Sequence, residues 1–169
     1  MKRFLLFFSV LALAACNKSE QIDYCSFVNP KIGTGAHGHV FVGANVPFGL
    51  VQAGPTSIPE DWDWCSGYHE SDSTVIGFSQ THLSGTGIGD LFDVTLMPVT
   101  ETTVFERGSE DRPGSGAWSY ALRSREVCEP GYYSVPLERY DILAEMTATA
   151  RVAYYRFTFP GSDKPAVVI

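Results

Sequence analysis

The chain has 169 residues, with 12 Lys plus Arg against 19 Asp plus Glu and a formal net charge of −7. That acidic balance, without any basic cluster, offers nothing to a phosphate backbone and excludes nucleic acid as a partner. The apolar content of 44% and aromatic content of 13% exclude disorder, because such a chain can bury enough surface to offset its entropy loss.

Lys2 and Arg3 open the chain, and Phe4 to Ala15 follows as an apolar run of twelve, too short to cross a bilayer as a helix. It ends in Leu13-Ala14-Ala15-Cys16, which resembles a bacterial lipoprotein signal. Residues 1–16 are therefore read as a leader cleaved before Cys16. The acylated Cys16 would anchor the chain to a membrane, facing the periplasm or the cell surface. Residues 17–24 form a polar tether. Lipidation of Cys16 leaves Cys25, Cys65 and Cys128, an odd number, so at least one thiol stays free or pairs outside the chain. Cys65 is the thiol expected to be free. No Cys-x-x-Cys spacing suggests structural zinc.

Residues 25–169 make one domain's worth of chain, dominated by short strands and glycine-rich loops. Leu91 to Pro98 alternates, with Phe92, Val94 and Leu96 on one side. Tyr133, Val135 and Leu137 follow a Pro130-Gly131 turn, and Ile142, Ala144, Met146, Ala148 and Ala150 form a further one-sided set. A period of two marks half-buried strands. Ala153, Tyr155, Phe157 and Phe159 carry the opposite parity, so a bulge or sheet corner is expected near Arg151. No helical stripe appears after the leader, and the pattern predicts an all-β antiparallel sandwich or barrel. The chain stops within the apolar run Pro165-Ala166-Val167-Val168-Ile169, which is read as an incomplete domain.

The chemistry concentrates in Asp61-Trp62-Asp63-Trp64-Cys65-Ser66-Gly67-Tyr68-His69. Carboxylates between indoles suit neither a buried strand nor a plain surface loop. They suit a sugar, with its apolar C–H faces and rim of hydroxyls. Indoles at 62 and 64 would face the same way in extended chain. His37, His39, His69 and His82 all sit in glycine-rich stretches, with no acidic third ligand at diagnostic spacing, so no metal site is assigned. Hydrogen bonding to hydroxyls or carbonyls is their expected work. Gly33-Thr34-Gly35-Ala36-His37-Gly38 lacks the Lys-Ser/Thr ending of a phosphate loop, and Ser84-Gly85-Thr86-Gly87 lacks the Gly-x-Ser-x-Gly arrangement of a hydrolase nucleophile.

Read together, the stretches Val28 to Gln52, the Trp-rich segment, Gly77 to Gly87 with Gly89-Asp90, Pro130 to Val135, and Ala144 to Arg151 with Arg156 to Pro160 resemble the N-terminal domain of glycoside hydrolase family 92. These are calcium-dependent, exo-acting α-mannosidases. Val42 stands where a proline is usual in that family, and Gln80 where a histidine is usual. The resemblance implies an N-terminal antiparallel β-sandwich, followed in the whole enzyme by a helical barrel that carries the acid, the base and most calcium ligands. No catalytic residue is then expected here, and Asp61, Asp63, Glu70, Asp72 and Asp90 are not given that role. One wall of the mannose pocket is expected from His39, Trp62, Asp63, Trp64, His69, His82 and Gly85. The partners implied are mannose-containing glycans and the missing C-terminal helical domain. A stand-alone carbohydrate-binding lipoprotein without catalysis is the alternative.

Overall fold

The computed structural model describes residues 21–100, 106, 109, 111–112, 115–161 and 164–169. The leader with Cys16 and the first half of the tether lie outside the described residues. The tether ends at a 3-10 turn, Tyr24–Phe27, which Asp23 caps by accepting the Cys25 N–H at 3.0 Å. Beyond it come ten short strands: β1 (Gly54–Thr56), β2 (Thr74–Val75), β3 (Gly77–Ser79), β4 (Met97–Val99), β5 (Ser119–Tyr120), β6 (Val127–Glu129), β7 (Tyr132–Leu137), β8 (Ile142–Ala148), β9 (Ala153–Thr158) and β10 (Ala166–Val168). Two further 3-10 turns, Trp62–Trp64 and Arg123–Arg125, complete the regular structure of the described residues.

One layer is the antiparallel sheet β6-β7-β8-β9. Its register sets Tyr133 opposite Met146, Val135 opposite Ala144 and Leu137 opposite Ile142, so the alternation in sequence becomes one continuous buried face. Each large apolar side chain buried there stabilises by about 1.5–3 kcal/mol. The facing layer is β1–β3, linked through the Phe78–Leu96 bridge to β4, which pairs with β10. The layers meet where the Phe78 and Phe157 rings lie 5.9 Å apart and the Tyr155 hydroxyl donates to the Ser79 carbonyl. The result is the expected all-β antiparallel sandwich.

Two local expectations change. The parity flip near Arg151 is neither bulge nor corner but a hairpin. Ala148 pairs with Ala153, and Thr149 N–H donates to Val152 O while its hydroxyl accepts the Arg151 and Val152 N–H groups. The stretch 91–95 is loop, and strand begins only at Met97. Asp90 captures the Phe92 N–H, the Thr95 hydroxyl donates to Phe92 O, and Phe92 and Val94 sit at φ of 54° and 49°. Local side-chain bonds thus outcompete a ladder there. Cys25, Cys65 and Cys128 are all free thiols, with Cys65 buried and donating to Thr86 O. Burial pushes the Cys128 thiol up to about 11.

Candidate functional site

Three loops meet at one edge of the sandwich: 33–39, 61–69 and 82–90. The first folds back on itself. A side chain at Gly38 would lie 2.0 Å from Gly33 O, so only glycine admits this turn. Ala36 and His39 take φ of 49° and 51°, which turns His37 and His39 toward the same oxygen. The second loop starts where Asp61 accepts the Asp63 N–H at 3.1 Å and winds one 3-10 turn. At three residues per turn, Trp62 and Trp64 diverge instead of sharing a face as extended chain would have them.

Trp62 stays on the surface, 57% exposed, with its Nε1–H donating to Gly87 O at 3.1 Å. The His39 ring meets it edge-on at 4.2 Å. Asp63 Oδ1 receives His37 Nδ1–H at 2.6 Å and His39 Nε2–H at 3.3 Å. Because an ionised carboxylate only accepts, both imidazoles donate here. The His37 hydrogen bond holds Asp63 below the usual carboxylate range, and the same bond raises His37. Gly85 N–H donates to His39 O at 2.7 Å, bringing the third loop against the first. Trp62, Asp63 and Gly85 therefore share one open edge with His37, whose side chain is 75% exposed, whereas the His39 ring beside them is enclosed, with 6% of its side chain exposed. His37 was not among the expected contacts. Its only sequence signal was the His-Gly-His spacing in a glycine-rich loop.

Trp64 and His69, both half-buried, stack beside this edge. Their rings stack at 4.4 Å, Trp64 Nε1–H donates to Asp72 Oδ2 at 2.8 Å, and His69 is held between Ser71 and Ala36 O. His82 lies deeper, its side chain fully enclosed and stacked on Phe41. Its Nδ1–H donates to Asp90 Oδ2 at 2.9 Å. The same oxygen takes the Leu83 N–H at 3.0 Å, and Oδ1 takes the Phe92 N–H at 3.3 Å. Burial opposes ionisation of Asp90, but the His82 bond and these backbone donors outweigh it and hold the acid low. His82 Nε2 has no partner among the described residues. His82 thus braces the 82–90 loop from below and touches no open surface of this chain.

A buried charge network anchors the Trp64–His69 stack to the large sheet. Arg123 donates through Nε and Nη2 to Asp72 O, through Nη1 to Glu126 at 2.5 Å, and lies 4.5 Å above the Tyr68 ring. Glu126, fully enclosed, also receives Lys31 Nζ at 2.5 Å and the Tyr133 hydroxyl at 2.6 Å. Burial works against its charge, and Arg123 leads the groups that prevail and keep it low. The sequence singles out neither Arg123 nor Glu126, and Asp72 lies 51 residues from Arg123.

Comparison with known proteins places this architecture. The model of the glycosyl hydrolase family 92 N-terminal domain matches residues 27–169. A family GH92 alpha-mannosidase from Bacteroides thetaiotaomicron, solved in complex with mannoimidazole, superposes with a TM-score of 0.80 at 40% identity, over 85% of this chain and 19% of its own. An inverting family GH92 mannosidase from Bacteroides thetaiotaomicron VPI-5482 shares the fold at a TM-score of 0.70 and 24% identity, over 89% of this chain and 20% of its own. An uncharacterized secreted glycosidase of Arthroderma benhamiae is 32% identical over 146 residues, 83% of this chain and 18% of that protein. The chain thus spans about one fifth of the relatives it matches, and it belongs to the glycosyl hydrolase family 92 N-terminal domain family.

Proposed function

We propose that this chain is the N-terminal sandwich of an exo-acting, inverting α-mannosidase and supplies one wall of the pocket for a terminal mannose. The observation that carries this is the surface-exposed Trp62 beside an Asp63 carboxylate that two imidazoles hold in place. An indole face suits the C–H face of a pyranose, and fixed carboxylate and imidazole groups suit its hydroxyls. The complex of the Bacteroides relative with mannoimidazole supports mannose as the sugar.

Proton transfer belongs elsewhere in the whole protein. An inverting glycosidase needs one carboxyl kept protonated as acid and another free to activate water. Asp63 and Asp90 are instead held low by their donors, and Asp72 is committed to Trp64 and Thr74. The contribution of this chain is to orient the sugar and exclude water beside it, which strengthens the electrostatics of the reacting centre. Calcium does not fit these loops. Asp63, Asp72 and Asp90 already accept imidazole, indole and backbone donors, and the described residues contain no group of three or more His, Cys, Asp or Glu that could hold a metal ion. Its ligands are proposed to come from the helical domain. Anchoring by an acylated Cys16 completes the reading.

The test is Trp62→Ala in the whole protein. Turnover of an α-mannoside should fall about tenfold or more, equivalent to about 1.4 kcal/mol in the barrier, with thermal stability unchanged because the indole is exposed. Full turnover in a folded Trp62→Ala protein would remove Trp62 from the pocket. Binding of mannosides by a whole protein incapable of releasing mannose would favour the non-catalytic lipoprotein instead.

A further inference from the structure

The outer face of the large sheet, turned away from the core, carries a groove of about 240 Å³ that shares no residue with the Trp62 wall. The strand registers set Tyr132 of β7, Thr147 of β8 and Tyr154 of β9 in a single row across the sheet. Side chains stand roughly perpendicular to a sheet, so the two tyrosines rise on either side of a short threonine. They are separated by two interstrand spacings, roughly 9.6 Å. That leaves a slot about as wide as one six-membered sugar ring is thick.

The next row on this face closes the slot with polar groups. Glu145 receives Arg156 Nε at 2.6 Å and Nη2 at 2.5 Å, and the Tyr132 hydroxyl at 2.8 Å. The Arg156 bonds hold this carboxylate ionised. Among the described residues, Nη1 of Arg156 and the hydroxyl of Tyr154, itself 57% exposed, have no partner. These groups decide the ligand class. An anion would meet the Glu145 carboxylate, and a cation would meet the Arg156 guanidinium. A neutral polyhydroxylated ring meets neither penalty and can use both free donors. A purely structural cross-strand ion pair would account for Glu145 and Arg156, but not for an exposed tyrosine standing free across the threonine.

The geometry points to a second, non-catalytic saccharide site in the Tyr132–Thr147–Tyr154 slot, which takes a neutral pyranose of a glycan chain. Such a platform would hold a polymeric substrate while the pocket works on its end. Affinity electrophoresis of the whole protein through gels containing soluble α-mannan, dextran or arabinoxylan, with polygalacturonate as the anionic comparison, tests it. Retardation by at least one neutral polymer is expected. It should weaken about fivefold or more in Tyr154→Ala, which removes one ring. Thr147→Arg, which fills the slot and spares both rings, should weaken it as much. Trp62→Ala should leave it in place, which separates this site from the pocket wall. No retardation by any neutral polymer, retardation by polygalacturonate alone, or unchanged retardation in both slot variants would overturn the assignment.

Discussion

Asp90→Asn is the most discriminating perturbation of the loop that carries Gly85 and Gly87. Asp90 serves three donors with two oxygens, His82 Nδ1–H, Leu83 N–H and Phe92 N–H. Asparagine keeps one acceptor oxygen and presents an NH2 group in place of the other. With its oxygen toward His82 and Leu83, the NH2 opposes the Phe92 N–H. Turned the other way, it opposes Leu83 N–H and forces His82 to move its proton to Nε2, which has no partner. Either arrangement loses charge-assisted hydrogen bonds, worth about 1.5–3 kcal/mol each, or strands a buried donor at about 1–3 kcal/mol. A net loss of about 3 kcal/mol corresponds to a fall in Tm of roughly 6–12 °C for a domain of this size. The effect has a pH signature. Asp90 titrates below its ordinary value of 3.8 in the folded chain, so its stabilisation is full above that value and is lost as pH falls through the lower folded one. The gap in Tm between wild type and Asp90→Asn should therefore narrow as pH drops below about 4. Thermal melts from pH 7 to 3 measure this, and the 15N shifts of His82 report its tautomer. A Tm within a degree or so of wild type at pH 7, or a gap that does not change with pH, would refute the reasoning.

Glu126→Ala should be more damaging still, by about 3–5 kcal/mol in denaturant unfolding, because Arg123 and Lys31 lose their shared enclosed carboxylate. Trp64→Ala should lower stability by about 2–4 kcal/mol through loss of the His69 stack and the Asp72 bond, and equal stability by urea titration would remove the supporting role of Trp64. Cys16→Ser should shift the protein from the membrane to the soluble fraction on ultracentrifugation, and unchanged partitioning would mean that no lipid is attached there.

Where a property repeats along the chain, sequence was enough. Period-two alternation from Tyr133 to Leu137 and from Ile142 to Met146 marked both strands and their buried face, since the pleat ties parity to side-chain direction. The segment around Trp62 and Asp63 was likewise visible as unusual local composition, whereas its meeting with His39 and Gly85 is made by tertiary hydrogen bonds. Alternation misled at Leu91 to Thr95, where hydrogen bonds to the Asp90 carboxylate and from the Thr95 hydroxyl took the backbone out of the ladder. What each site residue does was decided only by tertiary contact. His37 and His82 have the same side chain in similar glycine-rich loops, yet one stands 75% exposed beside Asp63 and the other is walled in by Phe41 and Asp90. A single 3-10 turn left Trp62 on the surface and turned the half-buried Trp64 toward Asp72. The Glu126 network joins Lys31, Arg123 and Tyr133, and the slot on the outer sheet face joins three strands. Apart from the local pair Arg123–Glu126, sequence spacing carries no trace of such partnerships, because they depend on strand register and loop closure and not on distance along the chain.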